Sequence, residues 1–271
     1  MGRAGCRTTK SRRSQSESAK QSGATGLSAI SLAGLPVGLH LQQIRESMVT
    51  LADIPITLDL ESIRESLHLR HRGDRSYTQT LVRIAEPLIS AKAIYRDCFI
   101  EAKLDDAICI EGTRLTSKVL RKNADNIERV FPYVITIGDK LEEAVKASED
   151  LLDRYCLDLA GNVALHAARG HLEDHLRSTY ALDRISYISP GSLKDWPIEN
   201  QKPLFSILGD VEGHVGVKLD ENCLMRPTKS LSGIYFPTEI SFYTCQLCSR
   251  ERCPGRTARY DEGLAREYGI V

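Results

Sequence analysis

The stretch SPGSLKDWPIENQKPLFSILGDVEGHVGVKLDENCLMRPTKSLSGIYF, residues 189–236, decides the fold. Its first part, DWPIENQKPLFSILG, predicts a helix, because Pro197 suits a first helical turn and Gly209 suits a stop. Two strands are expected to follow. One is indicated by SLSGIYF, the other by the alternating residues Val215, Val217 and Leu219. This part of the chain therefore mixes helix and strand within a short distance.

The sequence before residue 189 also predicts both helices and strands. VFPYVITIGDKLEEAV predicts a buried strand, a glycine turn and a helix that Asp139 can cap. CLDLAGNVALHAARGHLEDHL, residues 156–176, predicts a long helix whose apolar and small residues recur at helical spacing. Its connections to neighbouring strands are too short for a regular parallel series. We therefore expect an α+β fold, with a mixed or antiparallel central sheet flanked by helices.

Composition excludes several classes of protein. The 36 basic residues balance the 36 acidic ones, so no overall charge attracts nucleic acid or an anionic membrane surface. No apolar run approaches the roughly 18 to 20 residues that span a bilayer, and the start lacks the apolar core of a secretory signal. We therefore expect a cytoplasmic protein with no nucleic-acid or membrane partner.

Three segments are predicted along the chain. Residues 1–38 are basic and serine-rich, and we expect them to be a disordered tail. Residues 39–244 are expected to form one α+β domain. It would open with a helix, since Leu41, Ile44, Met48 and Leu51 recur at helical spacing. Residues 245–271 form a cysteine-rich C-terminal tail.

That tail places three of the eight cysteines at C-x2-C-x4-C spacing: Cys245, Cys248 and Cys253. Closely spaced thiols in a reducing compartment are more often metal-binding or redox-active than disulfide-bonded. Cys223 is the nearest upstream candidate for a fourth ligand. Zinc would make the tail a structural clip, whereas an iron–sulfur cluster would carry electrons. Free or regulatory thiols are the second interpretation, and a structural disulfide is the third.

Three stretches together resemble one known family: VITIGDKLEEAV, LDLAGNVALHAARGHLEDHL and the block 189–236. They are similar to the activation domain of cobalamin-dependent methionine synthase, which binds S-adenosylmethionine. The resemblance covers roughly residues 50–244 and is greatest for the stand-alone members of the family.

The resemblance implies a reactivation function. In the family, the domain docks over a cobalamin carried by the partner and presents S-adenosylmethionine. A separate donor supplies an electron, and methyl transfer traps the reduced cobalt. The implied partners are a corrinoid-binding protein, such as methionine synthase, and an electron donor protein. The protein itself supplies positioning and electrostatics.

The resemblance also implies the ligand-contacting positions, several of which differ here. Pro190 and Gly191 match the family's Pro-Gly loop, and Glu221 and Tyr243 match a Glu and a ligand-contacting Tyr. The loop's carboxylate-binding Arg and its Tyr correspond here to Tyr187 and Ser192, and a helical Glu corresponds to His166. Arg184, slightly upstream, could replace the missing arginine.

Two functions follow from these observations. The first is a stand-alone activation module that supports reductive methylation of a corrinoid on a partner protein, with the cysteines holding a metal or cluster. The alternative is a non-catalytic scaffold or chaperone that binds a corrinoid protein and has a structural zinc in its tail.

Overall fold

A central antiparallel sheet organises the chain. The computed structural model describes residues 48–66, 73–253 and 256–270. The sheet contains, in spatial order, β1 (Met48–Leu51), β2 (Lys92–Arg96), β7 (Arg129–Thr136), β11 (Ser230–Pro237) and β8 (Ile185–Ile188). β3 (Cys98–Phe99) also pairs with β7. Every pairing in this sheet is antiparallel, as the sequence predicted for the α+β fold.

Smaller elements surround this sheet. A three-stranded sheet contains β4 (Ala102–Lys103), β5 (Ala107–Ile110) and β6 (Thr113–Thr116), and a ribbon pairs β9 (Lys218–Leu219) with β10 (Met225–Arg226). The helices are α1 (Leu60–Ser66), α2 (Gly73–Ala85), α3 (Lys118–Asn123), α4 (Lys140–Ala147), α5 (Leu151–Thr179), α6 (Gln201–Leu208), α7 (Val211–Val215) and α8 (Glu262–Glu267). Short 3-10 turns lie at Glu86–Leu88, Ile198–Asn200 and Thr244–Leu247.

The residues of β7 show how the sheet is covered on both faces. Successive side chains of a strand point to opposite faces. Phe131, Tyr133 and Ile135 pack with the residues of α1, α2 and α5. Val130 packs with a second cluster around α3 and α6, and Val134 packs with a third around α7. The sheet is therefore the middle of three layers.

Helix α5 covers one face and has a defined beginning. The Asp150 carboxylate accepts hydrogen bonds from the backbone N–H groups of Leu152 and Asp153. At Gly161, an added Cβ would lie 3.2 Å from Leu141 Cδ2 and 3.3 Å from Lys229 Cε, so the small residue permits close packing. The predicted long helix is confirmed. Neither this helix nor any other within the described residues is long and apolar enough to cross a membrane.

Gly233 permits a close approach in the sheet. It lies in β11, opposite Tyr133 of β7. A Cβ at this position would lie 2.4 Å from the carbonyl oxygen of Ile188 and 2.9 Å from Ser189 Oγ. Since Cβ atoms do not approach other heavy atoms so closely, only glycine lets the backbone at the end of β8 lie so near to β11.

Two local predictions are wrong. Met48–Leu51, predicted to end a helix, is the strand β1, and its pairing partner Ala93–Arg96 is some forty residues away in sequence. Residues 39–47 of the predicted helix, like the predicted disordered segment 1–38, lie outside the described residues. The alternating valines predicted as one strand are divided, since Val215 ends α7 and only Lys218–Leu219 is strand.

The C-terminal segment packs into the body of the protein. Leu247 and Ala265 are buried in the cluster that contains Trp196 and Phe236, with exposed fractions of 2% and 0%. The Asp261 N–H donates to the carbonyl oxygen of Gln246 and so ties the start of α8 to the 3-10 turn. The predicted boundary near residue 245 does not coincide with a break in the core.

Replacing Leu247 with alanine tests this packing. Removal of a buried leucine side chain leaves a cavity, so Leu247→Ala is expected to lower the free energy of unfolding by about 2–5 kcal/mol. Urea titration followed by circular dichroism measures the change. Ile240→Ala, at a position 81% exposed, should change it by less than about 0.5 kcal/mol. Equal stabilities of the two variants would mean that the segment is a separate tail.

Candidate functional site

The loop that leaves β8 has a fixed shape. Pro190 is buried, and Gly191 has φ = +83°, a backbone conformation that favours glycine. The Gly191 N–H donates to the carbonyl oxygen of Trp196 at 2.7 Å. Trp196 is fully buried. The loop is therefore anchored in the core at both Pro190 and Trp196.

Asp195 holds the same loop to α3. Its carboxylate accepts hydrogen bonds from the Ser117 hydroxyl and from the backbone N–H groups of Lys118 and Val119, the latter two at 3.1 Å. These N–H groups begin α3 and have no partner within that helix. A carboxylate at this end of a helix is also favoured electrostatically.

The C-terminal segment forms the other wall of a cleft beside this loop. The Phe242 N–H donates to Ser186 Oγ at 2.9 Å, which holds the segment against β8. The cleft has a volume of ≈ 590 Å³, and small-molecule sites commonly have volumes of about 300–1,000 Å³. Gly191 and Ser192 line one side, and Cys248 and Arg250 line the other.

A cluster of tyrosines and charges lies where β8 faces α5. Arg169 Nη1 donates to the Tyr187 hydroxyl oxygen at 2.7 Å. The Tyr187 ring meets Tyr235 edge-on at 5.6 Å, and Tyr235 stacks on Tyr133 at 4.4 Å. The Tyr235 hydroxyl in turn donates to Glu173 Oε1 at 3.0 Å. Helix and strand thus present a cation, an anion and phenol groups together.

The phenols in this cluster remain neutral. Burial raises the pKa of Tyr187 above its ordinary value. The charge of Arg169 opposes that rise, and the charges of Glu173, Cys245 and Tyr243 add to it. Tyr187, a predicted site residue, lies in this cluster through its contacts with Arg169 and Tyr235. Tyr243, another predicted site residue, lies at the start of the 3-10 turn Thr244–Leu247 and is 44% exposed.

Arg184, the predicted replacement for the missing arginine, lies at the other end of β8 from the Pro190–Gly191 loop. It precedes β8, whereas the Pro190–Gly191 loop follows that strand. Its Nη1 donates to the carbonyl oxygen of Glu239 at 3.1 Å, and it lines a different cleft of ≈ 490 Å³. Arg184 therefore lies outside the residues that line the cleft beside the loop, and its ligand-binding role stays a prediction.

Three other predicted site residues, Ser192, Glu221 and His166, lie in different parts of the structure. Ser192 is exposed, and its hydroxyl donates to the carbonyl oxygen of Ser189 at 2.6 Å. Glu221 is exposed in the turn of the β9–β10 ribbon. His166 lies on α5, one turn before Arg169. Partial desolvation, and then the charge of Arg169, lower the pKa of His166 below its ordinary value, so the ring is neutral near pH 7.

Arg256 organises the cysteine-rich segment. Its guanidinium donates to the carbonyl oxygens of Cys245, Cys248, Arg250 and Ala258. The carbonyls of Cys248, Arg250 and Ala258 belong to backbone outside the helices and strands. The carbonyl of Cys245 also accepts from the Cys248 N–H within the 3-10 turn. One side chain therefore supplies hydrogen-bond donors to backbone carbonyls, three of which lie outside the helices and strands.

The thiol of Cys245 is held within this segment. Its sulfur accepts hydrogen bonds from the Thr257 N–H and hydroxyl groups, each at 3.5 Å. Partial burial raises the pKa of Cys245. The hydrogen bonds from Thr257, a further one from the Ala258 backbone and the charge of Arg256 outweigh burial, so the pKa falls below the ordinary value of a thiol.

The predicted metal or iron–sulfur site finds no support in the described part of the chain. Across residues 48–66, 73–253 and 256–270, no group of three or more histidine, cysteine or carboxylate side chains is placed to hold a metal ion. The Cys245 sulfur accepts hydrogen bonds from the Thr257 N–H and hydroxyl groups. Cys223 is buried beside the ribbon, in a recess with Leu224 and Met225. Cys248 lines the cleft and Cys253 is half-buried. The four residues do not form a ligand set in the described part of the chain.

Two residues of the cluster were not predicted from the sequence, Arg169 and Glu173. The only signal was a pair of opposite charges at i and i+4 in the long helix, which usually marks a solvated face. What distinguishes this pair is that β8 brings Tyr187 against it.

Comparisons with known proteins support the fold. No family model matches the sequence, and no curated protein matches it. One similar solved structure is described as the crystal structure of the MetH reactivation domain bound to AdoHcy. The TM-score is 0.52 and the sequence identity 17%, over 73% of this chain and 81% of that chain. At this identity the similarity shows a shared fold, which is the fold of the family that the sequence resembles.

The lowered pKa of Cys245 can be tested by alkylation. Since the thiolate is the reacting species, Cys245 should react with iodoacetamide at lower pH than an ordinary thiol. Thr257→Val removes one hydrogen bond to the sulfur, and its rate-against-pH curve should move to higher pH. Peptide mass spectrometry measures the reaction at each cysteine. Cys98, whose pKa burial raises to about 12, is the internal control.

A second control is Thr238→Val, because that hydroxyl donates to the carbonyl oxygen of Ile240. Its alkylation curve at Cys245 should match that of the unaltered protein. An unchanged curve for Thr257→Val would show that the hydroxyl does not stabilise the thiolate.

Proposed function

We propose that this chain is an activation module that presents S-adenosylmethionine to a corrinoid carried by a partner protein. The observation that carries the proposal is the shared fold together with the fixed Pro190–Gly191 loop, which walls a cleft large enough for a small molecule. The resemblance of residues 189–236 to the activation-domain family supports the same assignment.

The reacting groups are those of the cobalamin and of S-adenosylmethionine. A partner-bound cob(II)alamin would take one electron from a separate donor protein and a methyl group from S-adenosylmethionine, which leaves as S-adenosylhomocysteine. The contribution of this chain is to hold the sulfonium ligand in one orientation, since alignment of reacting groups supplies a large part of catalysis.

The loop is suited to that positioning task. Gly191 and the buried Trp196 fix its backbone, and Asp195 fixes it to α3. A ligand in the cleft would therefore meet a wall that is already in place before binding, which reduces the entropy lost on binding.

A second candidate is a scaffold that binds a corrinoid protein without presenting a ligand. One observation favours it. The Ser192 hydroxyl is occupied by the carbonyl oxygen of Ser189, at the position where the resemblance implies a ligand-contacting tyrosine. The two candidates differ in whether methyl transfer occurs.

The test uses a cobalamin-binding protein loaded with cob(II)alamin, a titanium(III) reductant, S-adenosylmethionine and this protein. We expect the absorption spectrum of methylcobalamin to develop only when all four components are present. Stable complex formation without methyl transfer would support the scaffold. Absence of both would contradict the activation module and the scaffold alike.

Gly191→Ala should slow methyl transfer by at least about tenfold, because small displacements of bound reactants are costly. Its added Cβ would lie 3.1 Å from Ile198 Cδ1 in the wall of the cleft. Gly112→Ala is the matched control. Gly112 also has positive φ, at +65°, but a Cβ there has nothing within 4 Å and it does not line the cleft. Equal rates for the two variants would mean that the loop does not position the ligand.

A further inference from the structure

The C-terminal segment contains a pair of thiols that the proposed function does not use. Cys245 and Cys248 have C-x2-C spacing, and both are free and partly buried. Cys245 lies in the 3-10 turn Thr244–Leu247, and Cys248 directly follows that turn. The Cys248 N–H donates to the carbonyl oxygen of Cys245 at 3.3 Å. Two thiols at this spacing are typical of a redox-active dithiol.

The turn places the two residues at a separation that suits a disulfide. A turn closed by a hydrogen bond between residues i and i+3 has its end Cα atoms less than about 7 Å apart. Side chains at i and i+3 of a 3-10 turn lie one above the other. Disulfides join residues whose Cα atoms are about 4.4–6.8 Å apart. A bond between Cys245 and Cys248 therefore needs little movement of the backbone.

The residues between the two thiols are held by the rest of the protein. The carbonyl oxygen of Gln246 accepts from the Asp261 N–H at 2.9 Å, and its side-chain Oε1 accepts from the Tyr243 N–H at 2.9 Å. The side chain of Leu247 is buried in the core. Arg256 donates to the carbonyl oxygens of both cysteines. The fold therefore fixes the geometry of the pair before any reaction.

The two thiols differ in their surroundings. The Cys245 sulfur accepts hydrogen bonds from the N–H and hydroxyl groups of Thr257. Partial burial acts to raise the pKa of Cys245, but these hydrogen bonds, one from the Ala258 backbone and the charge of Arg256 lower it below its ordinary value. Because the thiolate is the nucleophile, Cys245 is suited to attack first. Cys248 is then placed to react with the Cys245 sulfur.

We propose that Cys245 and Cys248 are a redox-active dithiol that reduces a small disulfide such as oxidised glutathione. The Cys245 thiolate attacks one sulfur of the substrate, and the substrate S–S bond breaks. The first substrate thiolate leaves and takes a proton from solvent. The Cys248 thiol then loses its proton and attacks the Cys245 sulfur, which forms the Cys245–Cys248 disulfide and releases the second substrate thiolate to take up that proton. Two electrons thus pass from the protein to the substrate.

The position of the pair gives a small disulfide access to it. Cys248 lines the cleft of ≈ 590 Å³ beside the Pro190–Gly191 loop. Cys253 belongs to a separate turn, in which its carbonyl oxygen accepts from the Arg256 N–H at 3.2 Å. Within the described ranges no third histidine, cysteine or carboxylate joins the pair in a metal-binding group. Disulfide exchange at this pair does not depend on binding of S-adenosylmethionine.

Mass spectrometry of the unaltered protein tests the proposal. The reduced protein is treated with oxidised glutathione at pH 7, and the remaining thiols are blocked with iodoacetamide. Trypsin leaves Cys245 and Cys248 in one peptide, residues 230–250, and Cys253 in another. We expect the first peptide to lose two hydrogen atoms through an internal disulfide and to regain them with dithiothreitol. A link between the two peptides, or a glutathione adduct that persists on Cys245, would overturn the proposal.

Serine variants separate the roles of the two thiols. Cys248→Ser lacks the second thiol, so a glutathione adduct should persist on Cys245. Cys245→Ser should lose the fast reaction with oxidised glutathione at pH 7. Cys253→Ser is the matched control and should form the internal disulfide at the rate of the unaltered protein. A reaction at Cys248 that is as fast in Cys245→Ser would contradict the proposed order of attack.

Unfolded protein provides a comparison that needs no variant. Thr257 is twelve positions from Cys245 in sequence and meets its sulfur in the folded chain. The internal disulfide should therefore form more slowly at pH 7 in urea than in the folded protein. Equal rates would mean that the C-x2-C spacing alone causes the reaction, and they would overturn the proposal of a site built by the fold.

Discussion

The close contact at Gly233 is the constraint on which the rest of the site depends. The carbonyl oxygen of Ile188 lies where any other residue would carry its Cβ, 2.4 Å from that position. The backbone at the end of β8 can therefore lie close to Gly233 of β11 just before the Pro190–Gly191 loop begins. Tyr187, two residues before Ser189, lies against Tyr235 because the two are partners in the antiparallel pairing of β8 with β11.

Helix α5 supplies the second half of the arrangement. Its small buried residues bring its backbone close to the neighbouring elements, as the contacts of Gly161 with Leu141 and Lys229 illustrate. A helix held so closely has little freedom to rotate or shift. The charged residues on the side of α5 that faces β8 therefore keep a fixed position relative to that strand. Arg169 lies in the helix and Tyr187 in the strand, and their side chains are joined by a hydrogen bond.

Local patterns in the sequence were sufficient for the elements whose side chains repeat regularly. The apolar run of β7 and the small-residue pattern of α5 are properties of the segments themselves, and both elements were predicted. The strand β1 was not, because its four residues adopt that conformation by pairing with β2. The role of Arg169 was missed for a similar reason. Its sequence neighbours make it an ordinary helical charge, and only the tyrosine opposite it, 18 positions later, makes it distinct. The three closely spaced thiols suggested a shared ligand, whereas Thr257 engages the first of them.

The four carbonyl oxygens held by Arg256 have a consequence for the cleft wall formed by Cys248 and Arg250. An arginine keeps its proton at every pH that a cell reaches. The hydrogen bonds from Arg256 to the backbone around the cysteines therefore persist when the pH falls or when the thiols are oxidised. Chemical modification of the thiols would alter what the wall presents to a ligand while the course of its main chain stays the same.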